Sequence, residues 1–461
     1  MGLFGIILSL ALLMYLAYRG ITVLILAPLL ALLALMLNGE FTLLGTYTQV
    51  FMKALGDYVI KYFPLFMLGA IFGKLMADSG SARTIAETIV EKLGPTNAIA
   101  AIVLSCGILT YGGVSLFVVA FAVYPIAAAM FRRADIPKRL IPAAIALGSF
   151  TFTMTAFPGT PAIQNAIPMP YFGTTPFAAP IVGIAAGLVM LIGGVAWLNF
   201  RARRAAAASE GYGEHEESAI GQAAEIEGQL PAFSVAMAPA VAVIGLNALF
   251  TYVVIPMMDT GYLQSERFGN ASIADLRGIW AIIAALVLSI LLLVALNFRR
   301  LTDLKTSLNK GTVGSLLPVF NTASEVGYGA IIASLPAFFV VRDAVLGLTD
   351  NPLINVAVAT NVLAGITGSA SGGMSIALEA LGTRFAEMAQ QAGISEQLMH
   401  RITTLSSGGF DALPHNGAVI TLLGICGLTH RQSYGDIFVV AVAIPVFATM
   451  VAIALGTMGI V

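Results

Sequence analysis

Four ionisable side chains sit in stretches that are otherwise apolar: Asp411 and His415 in "FDALPHNGA", Glu325 in "FNTASEVGYG" and Glu379 in "GGMSIALEALG". A charge in an apolar segment is costly, so each is a candidate for binding a cation or relaying a proton. His415 titrates nearest neutrality and serves equally as a proton carrier or as a hydrogen-bond donor to a carboxylate or hydroxyl. Asp411 and Glu325 fit either an ion site or a scaffold role against polar neighbours. Glu379, near the end of its apolar arm, fits an ion site or a water-facing position.

Around these charges lie neutral hydrogen-bonding groups and glycines in four short stretches. They are "YGGVS" with Gly112, Gly113 and Ser115, "AFPGTPAIQN" with Thr160, Gln164 and Asn165, "TGSASGGMS" with Ser371, Gly372, Gly373 and Ser375, and the stretch carrying His415 and Asn416. Glycines permit tight tips and close backbone approach. The hydroxyls and amides supply uncharged partners for a small polar ligand. No nucleophile and base, and no His/Cys/Asp/Glu grouping with metal-ligand spacing, accompanies them, so the chemistry expected is binding and not catalysis. No cofactor is called for beyond a coupling ion, H+ or Na+. Neither half-site holds a buried Arg or Lys by this reading, so an anion would be held by dipoles and neutral donors.

What must position these groups is a membrane fold. Of 461 residues, 58% are hydrophobic and 10% charged, with a mean hydropathy of +0.91, whereas a soluble globule carries about 25% charged residues. The net charge of −1 gives no reason to expect a nucleic-acid partner. Cys106 and Cys426 lie far apart in apolar segments and read as packing residues. The run from Gly2 to Tyr18 lacks a basic leader and a cleavage site, so it reads as a first span.

Apolar windows of spanning length fall at residues 2–18, 21–38, 58–77, 139–167, 177–199, 232–255, 278–297, 316–341, 400–428 and 436–459, which makes ten crossings. Two further stretches, 97–131 and 353–381, split at a glycine-rich tip. An arm of about 14 residues reaches only about 21 Å of a roughly 30 Å hydrocarbon core, so each reads as a re-entrant helical hairpin. With both termini outside, Lys74, Arg132, Arg133, Arg203, Arg300 and Lys310 fall on the cytoplasmic side. The chain divides into 1–200, with hairpin 97–131 and broken span 139–167; a cytoplasmic linker, 201–230; and 231–461, with hairpin 353–381 and broken span 400–428. His215 in the linker reads as a solvated loop residue. Amphipathic "SARTIAETIVEKLG" and "LTDLKTSLNKG" read as interfacial anchoring helices.

Three matches relate the halves in one order: "LGAIF" at 68–72 to "YGAII" at 328–332, "GGVSLF" at 112–117 to "GGMSIA" at 372–377, and "AFPGTPA" at 156–162 to "ALPHNGA" at 412–418. The orientation above opens one hairpin to each side, giving inverted-topology repeats, the mark of a secondary transporter with its site near the midplane. Breaks at that depth are tolerated where freed backbone groups line a cavity or meet a ligand.

"LTYGGVSLFVVAFAVYPIAAAMFR", "GSFTFTMTAFPGTPAIQNAIP" and "SSGGFDALPHNGAVITLLGICG" resemble the gluconate permease (GntP) family of the ion transporter superfamily, most closely its D-3-hydroxybutyrate permease branch. The resemblance implies a multi-pass protein of the bacterial inner membrane that imports a small hydroxy-monocarboxylate, best matched by D-3-hydroxybutyrate, with a cation, usually a proton. It implies an all-α homodimer in the bilayer, each protomer having a scaffold domain and a transport domain that moves as an elevator. Gluconate or a related sugar acid is the other substrate within the class, and an anion channel is the alternative of another class.

Overall fold

The structure is a computed structural model that describes residues 2–215 and 230–461. Every regular element among the described residues is helical. A helix satisfies its backbone within itself, which is what hydrocarbon demands of a chain this apolar. Among the described residues, six stretches are long and apolar enough to cross a membrane: Leu43–Asp78, Leu116–Arg133, Pro180–Ala207, Phe233–Met257, Ile273–Asn297 and His430–Thr457. Two bent pairs, Ser81–Leu93 with Pro95–Tyr111 and Leu304–Ser334 with Phe338–Leu346, raise the number to eight.

The sequence led us to expect ten crossings, and the difference lies where helices break. Window 139–167 resolves into Ile141–Phe150, Phe152–Thr155 and Ile163–Ala166, and window 400–428 into Glu396–Ser407 and Gly417–Cys426. Gly2–Tyr18 and Val23–Leu37 have 17 and 15 residues, short of the about 20 that a perpendicular crossing takes. Hydropathy windows count apolar residues and are blind to such interruptions.

Two short helices are the innermost elements. All ten residues of Ile141–Phe150 are buried, as is every residue from Leu398 to Ser407 in Glu396–Ser407. Against the first pack Ala98–Tyr111 and Leu116–Arg133; against the second pack Pro352–Thr367 and Ala370–Gln391. The arms of each pair meet at a tip built on a left-handed glycine, Gly113 at φ +94° and Gly368 at φ +64°. In the second pair the arms touch backbone to backbone, and a Cβ on Gly373 would overlap the Ala364 main chain. Arm Ala370–Gln391 runs 22 residues, well beyond the 381 expected from sequence, because "TRFAEMAQQ" has good helix formers that hydropathy does not register.

Leu304–Ser334 packs along Met52–Asp78, brought close by Gly311, where a Cβ would lie 2.8 Å from Ile71 Cα. "LTDLKTSLNKG" is therefore not a separate interfacial helix. Asp303 caps it by accepting from Thr306 N at 3.0 Å, and it forms the first turns of this 31-residue helix. Ser81–Leu93 is a helix with Ser81, Ala82, Thr84, Ile85, Ala86 and Val90 buried, so its apolar face packs on protein.

The linker expected from residue 201 begins later. Arg201–Ala207 continues Pro180–Ala207, as its alanines and arginines favour. The chain then folds back, with Glu210 ion-paired to Arg139 at 2.6 Å and Tyr212 N bonded to Asp135 Oδ1 at 3.0 Å. His215 Nε2 lies 3.0 Å from Tyr212 O. The remainder of the expected linker, 216–229, lies outside the described residues.

Candidate functional site

The two tips and the two breaks converge on one cavity of about 910 Å³. From the first half come Gly113 and Ser115 of the tip and Gln164 after the break; from the second come Ser371 of the tip and Asp411, His415 and Asn416 of the break. Glu325 closes the floor from Leu304–Ser334, and Lys74 and Lys310 stand at the side of the same space. Lys74 is held by Asp78 at 2.6 Å.

The second half-site is knit together by one amide. Asn416 Nδ2 donates to Gly368 O at 2.9 Å and to Asp411 Oδ1 at 2.8 Å. Its Oδ1 accepts from Ala418 N at 2.6 Å and Val419 N at 3.0 Å, capping Gly417–Cys426. Ser369 caps Ala370–Gln391 by accepting from Gly372 N at 3.0 Å. Two helix N-termini thus point into the cavity, an arrangement suited to a negative group. Thr110 Oγ1, His415 Nε2 and Glu325 Oε2 have no protein partner.

The first half-site is held from behind. Fully buried Asn165 donates from Nδ2 to Thr160 O at 3.0 Å and Pro176 O at 2.9 Å. Asn247 donates to Gly159 O at 3.1 Å, and Tyr111 donates to Pro158 O at 2.5 Å. The carbonyls freed by the break are thereby satisfied, as a buried break requires.

Several residues singled out from the sequence lie elsewhere. Thr160 and Asn165 are buried behind the break and do not line the cavity; Thr160 Oγ1 accepts from Ala162 N at 3.3 Å. Gly112 packs on Ala240, and a Cβ on Gly372 would overlap Glu325 Oε2. Gly373 faces the other arm of the hairpin, and buried Ser375 lies against Tyr58 of Met52–Asp78. Glu379 accepts from Tyr171 OH at 3.0 Å and is exposed. It lies nine residues past the start of its helix, about 13 Å from the tip.

The expectation of no buried cation also fails. Arg401 is fully buried against the first break, donating to Ala178 O at 2.8 Å and 3.1 Å and to Asn165 Oδ1 at 3.1 Å. His400 beside it lies 3.2 Å from Asn165 Oδ1 and 2.6 Å from Thr174 Oγ1. The signal was present: a basic pair followed by "ITTLSS" at the start of window 400–428. A hydropathy window counts that pair only as the edge of a span.

At Gly368 an alanine would be strained by the left-handed backbone and would meet His415 Cδ2 at 2.9 Å. Gly368→Ala is expected to lower stability by about 1–2 kcal/mol, seen as an earlier thermal transition of the purified protein. An unchanged transition would show that the tip does not need this conformation.

The fold as a whole is similar to that of two solved transporters. The YdaH transporter of Alcanivorax borkumensis aligns with a TM-score of 0.58 over 91% of this chain and 90% of its own, at 16% identity. MtrF of Neisseria gonorrhoeae, described within a class of antimetabolite efflux pumps, aligns with a TM-score of 0.55 over 91% and 84%, at 14% identity. At such identities the likeness is one of fold alone, that of an all-helical polytopic membrane protein.

Sequence comparison carries this to a family. The uncharacterized transporter YxjC of Bacillus subtilis (strain 168) is 45% identical over 451 residues, 95% of this chain and 96% of its own. An uncharacterized transporter of Haemophilus influenzae is 40% identical over 75 residues, 16% of this chain and 18% of its own. The pattern of the GntP family of permeases matches residues 1–410, and the chain belongs to that family. It is a secondary transporter that moves a small polar solute across a membrane, and not an enzyme.

Proposed function

We propose that the protein is a cation symporter that imports a small hydroxy-monocarboxylate, with gluconate or a related sugar acid as the first candidate. The observation that carries this reading is the meeting of two helix N-termini and unpartnered hydrogen-bonding groups in one cavity between two broken helices. That setting offers a carboxylate a positive dipole end and offers its hydroxyls neutral partners. Family membership supports a sugar acid more directly than D-3-hydroxybutyrate. One feature favours the smaller acid: Leu65, Phe66, Val114, Met154 and Ile163 give the cavity an apolar wall suited to a terminal methyl.

In this reading Ala98–Tyr111 with Leu116–Arg133, and Pro352–Thr367 with Ala370–Gln391, are re-entrant hairpins of opposite topology. They form with the broken helices a transport domain that moves as an elevator in a homodimer. Both termini lie outside the bacterial inner membrane. The recurring order of long helix, paired arms, buried broken helix and long helix in the two halves supports the repeat.

Uptake of radiolabelled gluconate and D-3-hydroxybutyrate into proteoliposomes, under imposed pH or sodium gradients, tests this. Accumulation of one acid above its external concentration, abolished when the gradient is collapsed, is the expected result. Flux that only equilibrates, with no dependence on either gradient, would indicate a channel instead.

A further inference from the structure

Two carboxylates share the second half-site, and their surroundings differ. Asp411 is fully partnered at one oxygen by Asn416 Nδ2 at 2.8 Å and also meets the backbone N–H of Ala370, the first residue of Ala370–Gln391. Glu325 is 3% exposed, faces the Ser369 hydroxyl and leaves Oε2 without a partner. The two lie within electrostatic reach of one another.

The groups around Glu325 contain no buried cation to offset a second negative charge. Met52–Asp78 presents Tyr58 to it, and Lys74 of the same helix is engaged by Asp78. Val23–Leu37 has no titratable residue. Ala370–Gln391 presents Gly372 to the carboxyl, and its first acid, Glu379, is turned away to Tyr171. The break contributes Asp411 and His415. Lys310, beside the cavity, is exposed on its helix. Ionising the second of two neighbouring carboxylates in a medium of low dielectric costs more than ionising the first, so one of the pair holds its proton more readily than the other. The one with donors built around it keeps the charge.

We infer that Glu325 is the residue that carries the coupling proton, with Asp411 as the fixed negative charge beside it. This rests on the symport reading above. On the outer side Glu325 takes a proton from water as the substrate anion enters the cavity. On the cytoplasmic side the anion leaves and the carboxyl O–H bond breaks. The proton passes to water, the electron pair stays on the carboxylate, and the empty carrier returns. Nothing in the first half duplicates the pair: the matches that relate 328–332 to 68–72 place Leu65 opposite Glu325, and those that relate 412–418 to 156–162 place Thr155 opposite Asp411.

The test uses the full chain in proteoliposomes and in detergent. Glu325→Gln is expected to lose accumulation driven by a pH gradient and to keep exchange of labelled for unlabelled substrate. Exchange needs binding and movement but no net proton transfer. Glu325→Asp is expected to retain part of the driven uptake. In infrared spectra at neutral pH, the carbonyl stretch of a neutral carboxylic acid seen in the wild type is expected to vanish in Glu325→Gln. Driven accumulation by Glu325→Gln, loss of its exchange, or an unchanged infrared band would each overturn the assignment. Wild-type uptake driven by sodium alone would overturn it too while leaving the symport reading in place. A wild type that transports neither acid would sink the symport reading itself.

Discussion

Arg401→Leu is expected to destabilise the purified protein by about 3–5 kcal/mol and to abolish uptake. Ala178 O and Asn165 Oδ1 lose charged donors at 2.8 Å and 3.1 Å in a site with no water access, since Arg401 is 0% exposed. A buried acceptor left without a partner costs about 1–3 kcal/mol, and hydrogen bonds to charged groups contribute about 1.5–3 kcal/mol each. Asn165 is affected twice, because it also positions Thr160 O and Pro176 O. Arg401→Lys keeps the charge and loses the fork that spans several acceptors, so an intermediate loss is expected. Thermal unfolding in detergent measures the first effect and uptake per mole of protein the second. A leucine variant that melts and transports like the wild type would show that the break is held by other means.

Asn416→Ala is expected to reduce uptake per molecule by at least about tenfold, equivalent to 1.4 kcal/mol or more, while membrane abundance falls much less. One side chain here caps Gly417–Cys426, ties the break to Gly368 of the tip and partners Asp411. Loss of an N-cap alone costs about 0.5–2 kcal/mol. The bonds to Gly368 and Asp411 add to this and bear directly on the shape of the cavity. Uptake normalised to protein in the membrane separates the two effects. Equal uptake per molecule would mean that tip and break hold their geometry without this amide.

The tips and breaks were legible in the sequence because glycine and proline in a spanning segment contradict their surroundings, and the contradiction recurs at matching positions of the two halves. That His415, Asn416, Ser371, Gly113 and Ser115 surround one space follows from such pairing. Composition alone does not tell which way an amide points. Asn165 and Asn416 occupy breaks of the same kind, yet the first serves carbonyls behind the break and the second borders the cavity. Arg401 was missed for a related reason. Its partners are backbone carbonyls, which have no letter in the sequence, and one neutral amide, Asn165, so a search for an acid to pair with it finds none. Glu379 takes the water-facing one of the two positions open to it, and the arm runs past it to Gln391 because hydropathy ends an arm where charges begin, whereas the helix does not.

The fastening of Ala178 O by Arg401 also bears on the order in which the protein is made. The two are separated by 223 positions. During synthesis from the N-terminus, 156–178 enters the bilayer long before the guanidinium that satisfies its carbonyls has been translated. Unpaired carbonyls in hydrocarbon are costly, so the first break cannot settle while only the first half exists. The newborn chain must keep that segment loose, or hydrated near the membrane surface, until Glu396–Ser407 arrives. Maturation of the earliest-made half thus waits on a helix from the last seventy residues.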